Sequence, residues 1–158
     1  MKYWHIPVLL FIMLACAEKP RKVFELPLDA PFIIAGTEGK TWRISEKYRD
    51  GNRLPPSNCD TLYRISFMLD GSVRFHYQDS EYCESGVSGK WNIIREKDGQ
   101  AYLNLNAAKL PDSTIAKLLI NDLSGERLEW EHSKRKPDGF RTTVREVLIP
   151  QGFVKDRD

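Results

Sequence analysis

Histidine and cysteine, the residues that most often hold metals or act as nucleophiles, are scarce in this chain. Each occurs three times in 158 residues, and no His-x-His, His-x-x-x-His or Cys-x-x-Cys spacing is present. Metal sites depend on such spacings because their ligands must converge on one ion. The Gly-x-Ser-x-Gly of hydrolases, the P-loop and the dinucleotide-binding glycine pattern are also missing. We therefore expect no catalytic residue, no metal and no cofactor.

A strong excess of one charge is missing as well. The formal net charge is +2, so no nucleic-acid partner is expected. The densest basic cluster is Lys134-Arg135-Lys136, just before Pro137-Asp138-Gly139. Such a cluster is either a contact for anionic lipid headgroups or a solvated loop, and the sequence favours the solvated loop.

The chain also lacks an apolar run long enough to span a bilayer, which takes about 20 residues. The apolar run at residues 6–15 is half that length, follows Lys2 and ends at Ala15, which is typical of a secretory signal peptide over residues 1–15. Cys16 comes next. This arrangement resembles the lipobox of bacterial lipoproteins, in which the cysteine is acylated. The resemblance implies a membrane anchor at Cys16 and a place in the bacterial cell envelope, on the periplasmic or outer-membrane side. The alternative is a buried or disulfide-bonded Cys16.

Cysteine parity agrees with acylation, because it leaves Cys59 and Cys83 as an even pair. An exported compartment is oxidising, so we predict a disulfide between them. The two cysteines are 24 positions apart, and closing a loop of this length stabilises a fold by about 3 kcal/mol in the chain-entropy model.

Proline and charge mark the segment boundaries. Residues 16–35 hold Pro20, Pro27 and Pro31 among charged residues, and we interpret them as a lipid-anchored tether. Residues 36–150 are the predicted domain, and residues 151–158 a C-terminal tail.

Asp-Gly pairs, which favour tight hairpin turns, occur at Asp50-Gly51, Asp70-Gly71, Asp98-Gly99 and Asp138-Gly139. Eight stretches between such turns alternate apolar and polar residues, which predicts half-buried strands; they are 42–48, 63–69, 73–77, 91–94, 101–105, 115–120, 128–132 and 140–148. Residues 113–119 are ambiguous, since Ser113 is also able to cap a short helical turn there. The predicted fold is all-β, an eight-stranded antiparallel up-and-down barrel, because closure removes the exposed edges of a meander.

The hairpin around Asp70-Gly71 allows a test of register. If Leu69 faces Val73, then Phe67 opposes Phe75 and the apolar faces coincide. Extending this register outward places Cys59 opposite Cys83, so one pairing satisfies both the core and the sulfur atoms.

At this point the chain resembles the lipocalin-like lipoproteins of Bacteroidetes-type bacteria. The matching features are Gly39-Lys40-Thr41-Trp42, Cys59-Asp60, "ISFMLDGSVRF" (65–75), Cys83, "SGKWNI" (88–93), "AYLNL" (101–105) and "LEW" (128–130). The resemblance covers roughly residues 36–133. It implies an up-and-down barrel with a Cys59–Cys83 bridge, and little about activity.

Other polar residues have plain interpretations. Glu129 and Glu131 flank Trp130; paired carboxylates can serve as general acid and base, but here they indicate a solvated strand edge. His76 falls on a polar strand face and His132 on an apolar one, which indicates a surface and a rim histidine.

Aromatic residues define the predicted interior. The candidate ligand-binding residues are Trp42, Phe67, Phe75, Trp91, Leu103 and Trp130. They either fill the core or line a cavity for a small hydrophobic ligand. The leading hypothesis is a lipid-anchored protein that binds such a ligand; the alternative is a non-catalytic scaffold whose loops bind an envelope protein.

Overall fold

A computed structural model describes residues 23–77, 83, 86–107 and 117–152. The predicted signal peptide, Cys16 and most of the ambiguous segment 113–119 lie outside the described residues. The described residues form two short helices and nine strands: α1 (Ala30–Ala35), β1 (Lys40–Arg49), β2 (Asn52–Leu54), α2 (Asn58–Leu62), β3 (Tyr63–Phe67), β4 (Ser72–Tyr77), β5 (Val87–Arg95), β6 (Ala101–Ala107), β7 (Lys117–Leu123), β8 (Leu128–Arg135) and β9 (Arg141–Pro150).

Eight of the strands form a closed antiparallel barrel. Consecutive strands pair from β3 to β9, β1 pairs with β3, and β9 returns to pair with β1, so the sheet has no long free edge. These are the eight strands that alternation predicts, and the up-and-down barrel is confirmed. The ninth strand, β2, adds three residues beside the end of β1. It follows the turn at Asp50-Gly51, where both residues have positive φ as a two-residue hairpin turn requires.

The predicted register of the β3–β4 hairpin is wrong by two residues. Phe67 pairs with Val73 and Ile65 with Phe75. The loop is Leu69-Asp70-Gly71, closed by the Met68 amide on the Ser72 carbonyl at 2.9 Å. Gly71, with φ of 78°, takes the left-handed last position of a three-residue loop instead of its centre. A shift of two residues keeps every side chain on its predicted face, so the apolar faces still coincide.

The predicted disulfide is confirmed, although its geometric reason is not. Cys59 and Cys83 are bonded, with Cα atoms 5.9 Å apart. Cys59 lies in α2 instead of an extended continuation of β3. The bridge therefore ties a short helix, and not a strand, to the chain that follows β4.

The predicted tether of residues 16–35 is wrong in its second half. Leu26, Ala30, Ile34 and Ala35 are buried in the main core cluster. Pro31 lies in the first turn of α1, where a missing amide proton costs nothing and the fixed φ favours a helix. Proline there begins a helix, and the packed domain extends N-terminally to at least Leu26.

Helix α1 covers one end of the barrel, here called the closed end, whose interior is filled by Trp42, Phe67, Trp91 and Leu103. The Trp42 indole donates a hydrogen bond to the Ile34 carbonyl at 2.8 Å. The Trp91 indole donates to the Met68 carbonyl at 2.9 Å, and its ring meets Phe67 edge-on. Each buried indole N–H is thus satisfied, which avoids the cost of an unpaired donor.

Within the described ranges, none of the helices has the length and apolar character needed to cross a membrane.

Candidate ligand-binding cavity

The opposite end of the barrel contains a cavity of about 230 Å³. We call it the mouth cavity. Seven of the eight barrel strands and helix α2 contribute to its wall, which consists of Ile44, Lys47, Arg49, Asp60, Tyr63, Ile65, Phe75, Tyr77, Leu105, Leu118, Trp130, His132, Val144 and Glu146. The interior is therefore neither wholly filled nor wholly hollow: packed side chains occupy the closed end and the cavity occupies the mouth.

Of the six predicted ligand-binding residues, two line this cavity. Phe75 and Trp130 do so. The other four point inward, as predicted, but they belong to the packed core and are not among the residues that line the cavity; they are Trp42, Phe67, Trp91 and Leu103. Alternation identifies the inner face of a strand but not the height along the barrel at which the packing stops.

Lys47 lies inside the barrel, although strand alternation predicts that it lies outside. Strict alternation from Trp42 puts Lys47 outside and Tyr48 inside. The β1–β9 register shifts between Ile44 and Glu46, and a bulge of this kind reverses the faces beyond it. Lys47 therefore lines the cavity, whereas Tyr48 donates to Glu46 at 2.5 Å and lies under Arg145.

Lys47 sits between two carboxylates in the cavity wall. Its ammonium lies 3.0 Å from Asp60 Oδ1 and 3.5 Å from Glu146 Oε1. Glu146 Oε2 also accepts a hydrogen bond from the Trp130 indole at 2.9 Å. Burial by itself would lower the pKa of Lys47, but Glu146 and Asp60 outweigh it and the pKa is raised. The ammonium is thus held in its charged form.

Helix α2 positions the second carboxylate. Asp60 and Ser57 form a capping box: the Ser57 hydroxyl accepts from the Asp60 amide, and Asp60 Oδ2 accepts from the Ser57 amide. Burial alone would raise the pKa of Asp60, but the hydrogen bonds from Ser57 and the nearby Lys47 lower it. Because Cys59 bonds to Cys83, the helix is fixed covalently beside the cavity.

Aromatic rings form the wall on the β3–β4 side. Tyr63 stacks on Phe75 with ring centroids 6.2 Å apart and meets Tyr77 at 5.1 Å. Burial, with smaller contributions from Glu146 and Tyr77, raises the pKa of Tyr63. The phenol is therefore neutral, and this wall offers apolar ring faces to a ligand.

Of the remaining predictions about polar residues, that for His132 agrees with the structure and that for Glu129 does not. His132 lines the cavity, as expected of a rim histidine. Glu129 is wrongly predicted to be solvated: it is buried, and Arg127 and Arg145 lie 2.6 Å and 3.1 Å from its carboxylate oxygens. The two arginine charges offset the cost of removing the carboxylate from water. Among the described residues, no group of three or more histidine, cysteine, aspartate or glutamate side chains is arranged to hold a metal ion.

No family model and no curated protein matches this chain. Solved structures of bovine odorant-binding protein are similar to it. The complex of that protein with its natural ligand is 15% identical, has a TM-score of 0.40, and the match covers 85% of this chain and 79% of that chain. Its complex with a selenium-containing odorant is 14% identical at a TM-score of 0.39, over 89% and 80% of the two chains.

Proposed function

We propose that this protein is a binding protein for a small, mostly apolar molecule that occupies the mouth cavity. The observation that carries this function is the cavity itself. Side chains from seven strands line it, and most of them are aliphatic or aromatic. Lys47, Asp60 and Glu146 meet in its wall and supply polar groups. Sites of this composition are the usual form of small-molecule pockets.

The volume limits the size of the ligand. A cavity of roughly 150 Å³ holds benzene, whereas drug-sized ligands occupy about 300 to 1,000 Å³. At about 230 Å³, the mouth cavity fits a molecule of about ten non-hydrogen atoms, such as one or two fused rings or a short branched chain.

The wall charges limit the polar group of the ligand. A carboxylate there would meet Asp60 and Glu146, and an ammonium would meet Lys47 and Arg49. Neither sign of charge is favoured, because an unpaired charge in a desolvated site is costly. A neutral hydroxyl, carbonyl or amide can exchange hydrogen bonds with these groups. The ligand class is thus an apolar body with one uncharged polar group.

Calorimetric titration with 2-naphthol, which has this chemistry, tests the proposal. We expect binding at one site per chain in the micromolar to submillimolar range. Leu118→Trp places a larger side chain in the cavity and should abolish binding. Leu28→Trp is the matched control, because Leu28 is 99% exposed at the other end of the molecule. Absence of binding to the parent chain, or equal loss in both variants, would overturn the proposal.

We also infer that Cys16 is acylated and anchors the protein in a bacterial cell envelope. The supporting observations are the apolar run before Cys16 and the Cys59–Cys83 bond, which leaves Cys16 as the odd thiol. Several acyl chains would anchor the protein firmly, since each buried CH₂ contributes about 0.8 kcal/mol.

Mass spectrometry of protein purified from bacterial membranes tests the anchor. The expected species starts at residue 16 and carries the mass of added acyl chains, and Cys16→Ala should move the protein to the soluble fraction. An unmodified Cys16 thiol in the membrane-derived protein would contradict acylation. Binding of an envelope protein by the loops stays a prediction.

A further inference from the structure

The β8–β9 hairpin ends in an exposed segment that lies beyond the residues lining the cavity. Residues 134–141, here called the basic hairpin tip, are all exposed. They hold four cations and one anion, a net charge of +3, whereas the rest of the chain has 20 cations and 21 anions. The positive charge of the protein is therefore concentrated at one turn.

The strand register brings two of these cations, both arginines, next to each other. Arg135 and Arg141 face each other directly across the β8–β9 ladder, and like charges at facing positions destabilise a sheet. An external anionic surface would relieve the repulsion between Arg135 and Arg141.

An aromatic side chain stands among these charges. Phe140 is 73% exposed, and its backbone carbonyl closes the turn by accepting from the Lys136 amide at 2.8 Å. A large exposed ring among cations fits the bilayer interface, where the ring enters the acyl boundary and the cations meet lipid phosphates. Charge alone would suit any polyanion, but the exposed ring favours a lipid surface.

We propose that the basic hairpin tip docks this protein on the surface of an anionic phospholipid bilayer, with Phe140 inserted between headgroups. The tip lies at the mouth end, since Arg135 is three residues beyond the cavity residue His132, or about 10 Å along the strand. Docking would turn the mouth of the cavity toward the membrane, which is a natural source of small apolar molecules.

An anchor at Cys16 is geometrically compatible with this docking. Val23 lies at the closed end, beside Gly99 in the β5–β6 turn. Six residues lie between it and Cys16, so the two Cα atoms are at most about 25 Å apart. Ten-residue strands such as β1 and β9, tilted by about 40°, give a barrel of similar height.

Vesicle sedimentation of the full chain carrying Cys16→Ala tests the tip apart from acylation. Vesicles of phosphatidylcholine are compared with vesicles that also contain phosphatidylglycerol. Neutralising the cluster with Lys134→Gln, Arg135→Gln and Lys136→Gln should weaken binding to the anionic vesicles by at least about tenfold, since each cation near an anionic surface contributes roughly 1 kcal/mol. Phe140→Ala should weaken it by about tenfold through lost apolar burial.

Two variants serve as matched controls. Leu28→Ala removes an exposed apolar side chain at the closed end, and Lys97→Gln removes an exposed cation from the β5–β6 turn. Both should leave vesicle binding unchanged, and the tip variants should keep their affinity for 2-naphthol. Equal losses in tip and control variants, or no dependence on phosphatidylglycerol, would overturn the proposal. Binding to duplex DNA that matches the vesicles and ignores Phe140→Ala would replace it with general polyanion binding.

Discussion

The two ends of the barrel are built from the same alternating strands but differ in what occupies them. At the closed end, Trp42, Phe67 and Leu103 have no exposed surface. At the mouth, Lys47 and Glu146 share the interior with aromatic rings around a cavity of about 230 Å³. In this small barrel, therefore, one half of the interior forms the packed core, and the other half is open enough to form a ligand-binding site.

The sharpest test of this difference is a pair of leucines. Leu103 on β6 and Leu118 on β7 are direct cross-strand partners, but Leu103 is fully buried in the core whereas Leu118 lines the cavity. We expect Leu103→Ala to lower the free energy of unfolding by about 4 kcal/mol and Leu118→Ala by about 2 kcal/mol, because the second site already lacks close neighbours on one side. Urea denaturation measures both free energies. Equal losses would contradict the claim that the two leucines differ in how closely they are packed.

The disulfide should matter mainly at the mouth. Cys59→Ser combined with Cys83→Ser is expected to lower the free energy of unfolding by about 3 kcal/mol, because a closed loop of 24 residues is released in the unfolded chain. Amide hydrogen exchange should accelerate in α2, which the bridge fixes. Unchanged exchange in α2, or acceleration confined to α1, would speak against this assignment.

Lys47→Met probes the polar side of the mouth. The substitution keeps the side-chain length but leaves Asp60 and Glu146 without their shared cation. We expect a loss of about 1 to 3 kcal/mol in urea unfolding, as for other buried groups left unpaired. The matched variant Lys97→Gln, at an exposed turn, should change stability by less than about 0.5 kcal/mol.

The loss of stability at acid pH should depend in part on Asp60, a carboxylate in the wall of the mouth cavity. The pKa of Asp60 is lowered on folding, so its stabilising contribution is complete above the ordinary value of 3.8 and is lost as the pH falls through the lower folded pKa. Asp60→Asn should flatten the fall in melting temperature below pH 3.8, because the variant lacks the carboxylate that must take up a proton there. An identical acid profile in both proteins would show that this carboxylate is not coupled to folding.

Alternation and turn residues were enough to predict all eight barrel strands, whereas the bonded cysteines followed from cysteine parity and not from the predicted register. Side-chain alternation cannot reveal a bulge, because an extra residue such as that after Ile44 leaves no compositional mark. Lys47 was therefore placed outside. Helix α1 was missed for a different reason: its one proline, Pro31, fits a tether as well as a helix start, and the burial of Ile34 distinguishes the two.

Indole N–H resonances offer the most direct measurement on the difference between the ends. Trp130 donates to Glu146 at the mouth, whereas Trp42 and Trp91 donate to backbone carbonyls at the closed end. In a ¹⁵N-correlated spectrum assigned with single Trp→Phe variants, saturating 2-naphthol should shift the Trp130 signal and leave those of Trp42 and Trp91 in place. Shifts at Trp42 and Trp91 with an unmoved Trp130 would contradict a binding site at the mouth.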